Sequence, residues 1–464
     1  MEGNSAYRRG FVPYLLAAFL IGIVGGFATV LGPAFVRDVG IGYSGVTWTA
    51  LAQAMSTAAF APVLGKLGDV LGRRATLLLG IAVFTLGNAL TAVASNLAVM
   101  LAARFIVGLG TAAVAPVIMA YIVSEFPRDR VGKGFAQYML VSSASVVFGP
   151  TLGSLVIASF GWRAMIWLCT AISAAVGLAC LVLGRGERTG RKRLENFDGA
   201  GALLVPVFFS LVLCIPSFGQ NLGWQSPAFL WVLGAGLVSL AALVFAERQA
   251  ENPILPGGFM RRRAFLLSVL ALFLTQGLMQ ANMTNTIVFV SHTHGEESLL
   301  SGYAVSVLYL GMALGALFLG PLADRHEPKK VLTGSLLLTG LGCALQLWFG
   351  ERTNPILLMG TLGVLGLGLG GNGTIFMKVA LSDLSPEQAG AATGTYGLFR
   401  DLAAPFGVAV FVPMFTNRID GNIAAGMEKA AAAVSAIRTL AVAELACVAA
   451  GIIVVWLLPR VYRK

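Results

Sequence analysis

Long runs of uncharged, apolar residues recur from one end of the chain to the other, and they constrain its fold more than any other feature. Each run is about 20 residues long, which is the length that an α-helix needs to cross a bilayer. The runs lack the period-two alternation of membrane β-strands, so helices are expected rather than a barrel. Only 11% of the residues are charged, against about 25% in soluble proteins. The sequence therefore predicts an all-α, polytopic membrane protein.

The apolar runs and the polar breaks between them predict about fourteen membrane spans. The predicted spans are 11–35, 45–64, 75–95, 98–122, 134–160, 164–184, 198–217, 227–246, 264–290, 302–322, 330–349, 355–380, 388–415 and 438–459. The last break, 417–437, is longer than the others and includes an Ala-rich run. We expect an external loop there, with a short amphipathic helix or hairpin.

Basic residues are concentrated in every second break, and this alternation gives the expected topology. The first basic break is 65–74, and the intervening breaks hold few Lys or Arg before 417–437. Cytoplasmic loops of membrane proteins carry an excess of Lys and Arg. We therefore expect a multi-pass protein of the cell (inner) membrane with both termini in the cytoplasm. The same rule explains the net charge of +11, so no nucleic-acid partner is expected.

Two short segments far apart in the chain share one pattern. GKLGDVLGRR at 65–74 joins predicted spans two and three, and GPLADRHEPKK at 320–330 joins spans ten and eleven. Small residues let helices approach closely, and an Asp at a helix end pairs with a nearby Arg or caps the next helix. One copy is equally consistent with an ordinary cytoplasmic turn, whereas two copies favour a duplicated transporter. The residues concerned are Gly65, Gly68, Asp69, Arg73, Arg74 and Asp324.

In these segments the sequence resembles the major facilitator superfamily. GKLGDVLGRR is similar to the signature between helices two and three of that family. Leu101-x-x-Arg104, followed by Gly108 and Gly110, resembles the arginine-bearing signature of proton-coupled members. GPTLG at 149–153 resembles the antiporter signature, and GWR at 161–163 is similar to a turn common in fourteen-helix drug exporters.

The number of spans narrows the resemblance to the fourteen-helix drug:proton antiporters, which include quaternary-ammonium efflux pumps. This resemblance implies a six-helix half over 1–185, a linker with two extra spans over 186–250, and a second six-helix half over 251–464. It also implies a monomer that exports small hydrophobic or amphiphilic compounds in exchange for protons by alternating access.

The resemblance gives the motifs expected roles. Asp69 and Asp324 would gate the inner face of such a carrier. Gly149, Pro150 and Gly153 would shape the span-five interface at which the two halves rock against each other.

Span one departs from the pattern of that subfamily, whose members commonly have an Asp there. Aligning the proline of the family pattern with Pro33 places Val24 at the acidic position and Thr29 at an asparagine position. The span therefore has no carboxylate to attract a cation. We expect neutral, zwitterionic or amphiphilic substrates rather than dicationic ones.

YGLFRDLAAPFG at 396–407 places Arg400 and Asp401 side by side within predicted span thirteen. A charge at bilayer depth costs about 2.5–3.5 kcal/mol, so intramembrane ionisable residues are functional candidates. A desolvated carboxyl group can load and release protons, and this stretch resembles the acidic span-thirteen stretch of quaternary-ammonium pumps. Asp401 is therefore the first candidate for the proton carrier. Arg400 is either its tuner or a separate structural anchor.

Arg104 and Glu444 are further candidates for proton coupling. Arg104 either tunes a proton carrier or forms a structural hydrogen-bonded knot with backbone carbonyls, and the sequence leaves both readings open. Glu444 lies about two turns from the predicted outer end of the last span. An interfacial carboxylate without a role in coupling is therefore favoured for Glu444.

Predicted span nine carries a polar stripe that is a candidate substrate contact. Gln276, Gln280 and Met283 follow at i, i+4 and i+7, with Asn282 beside them. Amides next to a polarisable thioether suit loose recognition of lipophilic ligands. Hydrogen bonding between neighbouring helices is an equally good explanation of these amides.

The sequence shows no arrangement of residues typical of an enzyme, a cofactor site or a metal site. One alternative function is the dedicated export or flipping of an endogenous lipid or secreted metabolite, which the missing acid in span one favours. Another is a membrane sensor or scaffold without transport, which would be expected to carry a soluble signalling domain.

Overall fold

The computed structural model describes residues 3–126, 131–183, 199–250, 262–295, 298–382 and 386–459. Within these ranges the chain is almost entirely helical, with no β-strand. This follows from the bilayer, where a spanning segment must satisfy its own backbone hydrogen bonds because no water is available.

The helices fall into two series, one on each side of the undescribed stretch 251–261. The first series is α1 (Gly3–Thr29), α2 (Gly32–Val39), α3 (Tyr43–Leu71), α4 (Arg73–Val93), α5 (Leu97–Ala112), α6 (Val114–Glu125), α7 (Val131–Leu183), α8 (Gly199–Leu222) and α9 (Pro227–Gln249). The second series is α10 (Arg263–His294), α11 (Leu300–Arg325), α12 (Pro328–Leu345), a 3₁₀ turn (Gln346–Trp348), α13 (Pro355–Gly370), α14 (Asn372–Leu381), α15 (Pro386–Ala424) and α16 (Lys429–Leu457).

The described helices account for the membrane spans that the sequence predicts. Twelve stretches are long and apolar enough to cross a bilayer. One of them, Leu140–Val182, is 43 residues long and is bent at Gly161, where φ is 80°. Counting the bent stretch as two spans and adding α3, which is 29 residues long, gives the predicted fourteen. The chain is therefore an all-α polytopic membrane protein.

The segment 417–437 is a helical hairpin, which is one of the two forms expected there. Helix α15 continues to Ala424 and α16 begins at Lys429, so only a short turn separates them. The Ala-rich run belongs to the first turns of α16, because alanine is the strongest helix former even where its hydropathy is modest.

Contacts between Cα atoms divide the chain into two compact units. Unit 1 is Met1–Val212 with Gly234–Ile254, and unit 2 is Leu213–Leu233 with Leu255–Lys464. The division passes through α8 and α9, which each contribute to both units. The predicted boundaries at 185 and 250 stay a prediction.

Glycines make close helix contacts at the same place in both units. In unit 1, α1 meets α7 where Gly26 faces Gly149, and a Cβ atom on Gly26 would lie 2.7 Å from the Cα atom of Gly149. In unit 2, α10 meets α15 where Gly277 faces Gly407, and a Cβ atom on Gly277 would lie 3.0 Å from the Cα atom of Gly407. This shared packing supports the duplication that the two hairpin segments indicate.

The antiporter-like segment of α7 packs inside unit 1. Gly149 and Pro150 lie against Gly26, and Gly153 lies against the backbone of Phe27. The sequence predicts this segment at an interface between the halves, whereas these contacts are with α1 of the same unit. In the structure these three residues allow α7 to pack closely against α1.

Basic side chains cap the ends of two antiparallel helices in unit 1. Arg74, at the start of α4, donates a hydrogen bond of 2.7 Å to the carbonyl of Leu181, at the end of α7. Arg163, just after the bend of α7, donates to the carbonyl of Ala94 at the end of α4, at 3.5 Å. The last carbonyls of a helix have no partner within it, and cations are stabilising there.

The same pair of caps occurs in unit 2. Lys329, at the start of α12, donates to the carbonyl of Trp456 near the end of α16, at 3.2 Å. Arg438 of α16 donates twice to the carbonyl of Phe349, which directly follows the 3₁₀ turn, at 2.8 and 3.2 Å. In each unit, the helix that follows the hairpin motif is therefore joined to a second helix at both ends. These pairs are α4 with α7 in unit 1 and α12 with α16 in unit 2.

Replacing Gly407 by Ala tests the glycine contact in unit 2. Its Cβ atom would overlap the backbone of Gly277, whereas nothing lies within 4 Å of the corresponding position on Gly397 of the same helix. We expect Gly407→Ala to destabilise the protein by about 1–3 kcal/mol, because overpacking forces backbone shifts. Thermal unfolding in detergent measures the effect, with Gly397→Ala as the control. Equal unfolding midpoints for the two variants would contradict the contact.

Candidate functional site

Glu444 lies within α16 and has none of its surface exposed to solvent. Helix α16 begins at Lys429 rather than near residue 438, so Glu444 lies about four turns from the start of its helix instead of two. Its expected place near the outer end of the span stays a prediction. A carboxyl group that is buried in this way requires polar partners.

Two amide side chains hold the carboxyl group of Glu444. Asn282 of α10 donates from Nδ2 to Oε1 of Glu444 at 2.7 Å. Gln346, the first residue of the 3₁₀ turn, donates from Nε2 to Oε2 of Glu444 at 3.4 Å and to Oδ1 of Asn282 at 2.7 Å. The three side chains form a closed triangle, which we call the carboxyl–amide triad.

The backbone fixes the orientation of this triad. Nδ2 of Asn282 also donates to the carbonyl of Leu278, one turn earlier on α10, at 3.0 Å. Gln346 sits where α12 changes into a 3₁₀ turn, so its side chain follows the end of a rigid helix. Asn282 and Gln346 are each only 1% exposed. Held on rigid helices and excluded from solvent, the triad has a defined geometry.

The triad includes no cation. Among the residues that the structure describes, the ion pairs are Arg37–Asp38, Arg73–Glu125 and Glu327–Lys330, and none involves Glu444. In the same part of the chain, two buried amides near the triad lack partners: Oε1 of Gln346, and both polar side-chain atoms of Asn285. Buried polar atoms of this kind commonly bind internal water or a mobile proton donor.

The stretch with Arg400 and Asp401 lies on α15, which packs against α10. Phe273 of α10 contacts Phe399 and Phe406, with ring centroids 6.3 and 5.6 Å apart. Arg400 is half-buried. The side chain of Asp401 lies outside the described part, so its predicted role in proton coupling stays a prediction.

Arg104 is 4% exposed and belongs to unit 1. Its Nη1 donates to Oε1 of Gln53 on α3 at 3.2 Å, and its guanidinium lies 5.4 Å from the ring centroid of Phe35 on α2. These partners are side chains, whereas one of the two predictions for Arg104 is a structural hydrogen-bonded cluster with backbone carbonyls. The arrangement connects α2, α3 and α5 through one buried cation.

A charged cluster that the sequence did not reveal lies at the end of α2. Asp38 forms an ion pair with Arg37 at 2.8 Å and accepts a hydrogen bond of 2.9 Å from the indole of Trp162. Arg163 lies 4.4 Å from the ring centroid of Trp162. The hydrogen bond and charge of Arg37, helped by Trp162 and Arg163, lower the pKa of Asp38 below its usual value although partial burial opposes this shift. Trp162 is far from Asp38 in sequence, so only the fold brings them together.

The hairpin motif of unit 1 combines close packing with an ion pair. Gly65 and Gly68 of α3 face Pro116 and Val117 of α6, where a Cβ atom would lie 3.1 and 3.3 Å from them. Arg73 pairs with Glu125, at the end of α6, at 3.3 Å. Both glycines therefore make the tight helix contact that the motif predicts. Asp69 and Asp324 lie on helices, but their side chains are outside the described part.

The predicted substrate stripe of α10 divides into two sets. Gln276 and Gln280 are partly exposed, and their side-chain amides have no hydrogen bond among the described residues. Asn282 and Met283 are each 1% exposed, and Asn282 is committed to the triad. Asn282 and Met283 therefore present no surface to a substrate in this structure. Gln276 and Gln280 stay predicted substrate contacts.

These features define a class of protein: a helical membrane transporter built from two related units. The sequence profile of the Major Facilitator Superfamily matches residues 14–408. The chain belongs to that superfamily, which confirms the family recognised from the sequence motifs. Within the described ranges no cluster of His, Cys, Asp and Glu is suited to a metal ion.

Drug-resistance transporters are among the relatives of this chain. Multidrug resistance protein Stp of Mycobacterium tuberculosis (strain CDC 1551 / Oshkosh) is 25% identical over 416 residues, covering 89% of this chain and 77% of Stp. Multidrug transporter protein MdtP of Bacillus subtilis (strain 168) is 26% identical, covering 91% and 78%. Puromycin resistance protein pur8 of Streptomyces alboniger is 28% identical, covering 88% and 82%. These relatives are in keeping with the predicted drug-efflux subfamily.

Solved structures of other transporters share the fold. An auto-inhibited POT family peptide transporter superposes with a TM-score of 0.70 at 14% identity, covering 98% of this chain and 99% of that one. The nucleoside transporter NupG superposes with a TM-score of 0.65 at 13% identity, covering 96% and 98%. At these identities the likeness concerns the fold alone.

Replacing Asp38 by Asn tests the cluster at the end of α2. The pKa of Asp38 in the folded protein lies below its usual value. The carboxylate therefore contributes its full stabilisation when the pH is above the usual pKa of an aspartate. This stabilisation is lost as the pH falls through the lowered pKa. We expect Asp38→Asn to unfold at a lower temperature near neutral pH, and the difference from the natural protein to shrink below about pH 4. Thermal unfolding at several pH values measures this. Glu351→Gln, at an exposed position, is the control. A difference that does not change with pH would rule out this role of the carboxylate.

Proposed function

We propose that this protein is a secondary active exporter of small hydrophobic or amphiphilic compounds. The single observation that carries the proposal is the similarity to drug-resistance transporters over about nine-tenths of the chain. Gln276 and Gln280 of α10 are partly exposed, and their side-chain amides have no hydrogen-bond partner in the described part, so they suit contact with such substrates. An adaptable site with a few amides binds lipophilic ligands loosely.

Export against a gradient requires a driving ion, and we propose inward proton flow through alternating access. Intramembrane ionisable groups support this, because they are costly in a bilayer and usually belong to ion or proton pathways. Asp401, in the stretch that resembles acidic segments of quaternary-ammonium pumps, remains a proposed proton carrier, with Arg400 as its neighbour. In unit 1, Arg104 supplies a buried cation beside Phe35 and Gln53.

The proposal extends to cellular placement. A chain with these spans resides in the cell membrane, and the distribution of basic residues supports cytoplasmic termini. The hairpins at 65–74 and 320–330 would then lie on the cytoplasmic side, where the Arg73–Glu125 ion pair couples α4 to α6. A monomer is sufficient for this mechanism, because each chain has both units.

The transport test uses purified protein in liposomes with an imposed pH gradient. Puromycin, a lipophilic monovalent dye and a divalent cation serve as probes. We expect gradient-driven uptake of the first two, with weaker uptake of the divalent cation because span one has no carboxylate. Asp401→Asn is expected to slow proton-driven transport at least about tenfold, whereas Asp420→Asn, exposed on the same helix, retains it.

Three results would contradict parts of this proposal. Unchanged coupling in Asp401→Asn removes Asp401 from the proton pathway. A clear preference for the divalent cation removes the expectation about substrate charge. If fluorescent lipids are moved and the drugs are not, the alternative function as an exporter or flippase of an endogenous lipid takes the place of drug export.

A further inference from the structure

The surroundings of Glu444 suit a group that binds and releases a proton. The carboxyl group is fully buried and has amide partners instead of a cation. An unpaired buried charge is costly, so a dry Glu444 favours the neutral carboxyl group. Asn282 and Gln346 donate hydrogen bonds that stabilise the carboxylate once water or a conformational change offsets this cost. Oε1 of Gln346 is buried and has no partner among the described residues.

The triad lies at one end of unit 2. Helix α12 is 18 residues long, which corresponds to roughly 27 Å. Gln346 follows its last residue, so almost the full thickness of a hydrocarbon core, about 30 Å, separates the triad from the basic hairpin at 320–330. With that hairpin in the cytoplasm, as its charges predict, the triad lies close to the external side.

An aromatic pair lies beyond the triad at that end of unit 2. Phe349, three residues after Gln346, contacts Phe289 with a centroid distance of 5.4 Å. Phe289 lies seven residues after Asn282, which places it on the same face of α10 two turns farther along. The two rings are 3% and 0% exposed. This place beyond Glu444 makes the pair a candidate barrier to water from that end.

Hydrogen bonds hold the closing segment at both of its ends. Arg438 donates twice to the carbonyl of Phe349, and it lies six residues before Glu444 on α16. At the other end, Nε2 of His294 lies 3.0 Å from the carbonyl of Thr353, and Thr353 hydrogen-bonds both backbone groups of Gly350. These hydrogen bonds hold the segment 349–353 in place, and their release would allow Phe349 to move.

We propose that Glu444 is a proton-binding site of the transport cycle, and that Phe349 with Phe289 forms the gate through which protons reach it from the external side. Arg438 keeps the gate closed by holding the Phe349 carbonyl. Opening admits water, which allows the carboxyl group to exchange its proton with the external solution. This inference rests on the proposed proton-driven export and adds the site and route of the proton.

The charged and titratable groups around Glu444 are few. Cys343 of α12 forms a side-chain hydrogen bond with Glu444, and Cys447 of α16 interacts with it electrostatically. The 3₁₀ turn has no ionisable residue. The other helices packed against α16 have most of their charged residues near their ends, but Arg400 and Asp401 lie well inside α15, together with the titratable Tyr396. The residues near the ends are Arg263, His292 and His294 on α10, Lys329 and Lys330 on α12, and Glu387, Arg418 and Asp420 on α15.

The first experiment separates proton coupling from substrate movement. Glu444→Gln keeps the shape of the side chain but cannot release a proton. We expect proton-driven uptake to fall at least about tenfold, while exchange of labelled for unlabelled substrate without a pH gradient persists. Glu428→Gln, exposed at the start of α16, is the control and retains both activities.

Each outcome of this experiment has one meaning. Full proton-driven uptake in Glu444→Gln overturns the proposed site while leaving proton-driven export in place. Loss of substrate exchange together with uptake also overturns it, because Glu444 would then serve substrate movement or folding. If the natural protein moves substrate without protons, the proposed coupling itself fails, and this site fails with it.

The second experiment observes the carboxyl proton directly, without transport. Infrared difference spectra of the purified protein after a pH jump are expected to show a protonated carboxyl band that is absent in Glu444→Gln. Phe349→Ala and Arg438→Gln are each expected to speed the change of this band at least about tenfold. Arg418→Gln, exposed on α15, is the control. An unchanged rate in both gate variants overturns the gate, and a band that survives in Glu444→Gln overturns the site.

Discussion

The last carbonyl groups of a helix have no partner within the helix, and the two units supply one in the same way. A basic residue at the start of one helix donates to the carbonyl at the end of its antiparallel neighbour. Arg74 and Lys329 are the two members on the hairpin side, each five residues after the Asp of its hairpin motif. These capped helix pairs provide the rigid frame on which the buried polar groups of each unit are held.

The comparison between the two units also shows where their functions differ. Arg163 and Arg438 play the same capping role, and six residues farther along come Cys169 in unit 1 and Glu444 in unit 2. The frame has thus been kept in both units, while the ionisable carboxyl group is present in one. Unit 1 has instead the buried cation of Arg104. Two units with the same frame but different buried charges suit a carrier in which one unit binds the proton and both units change conformation.

The sequence predicted the fold well because its signal is repeated in every span, and the glycine and hairpin patterns occur twice. The sequence missed how far α16 extends before Glu444, because the charge of Arg438 predicts a span boundary there. A charge marks a span boundary only when nothing within the protein satisfies it, and the Phe349 carbonyl satisfies Arg438. The amide partners were missed for another reason. Asn282 and Gln346 lie on separate helices, and no local pattern predicts that they meet at one carboxyl group.

Asp38 and Glu444 show how partners decide the role of a carboxyl group. Asp38 lies at a helix end with Arg37 beside it, and this cation keeps its pKa below the usual value. Such a group stays charged throughout the physiological range, so its contribution is structural. Glu444 has donors that stabilise a carboxylate but no cation that would hold it ionised when dry. Its charge therefore depends on whether water can enter, and a change of access at Phe349 becomes a change of protonation. Placing a cation in the triad would remove this dependence, which explains why amides suit the site better than a salt bridge.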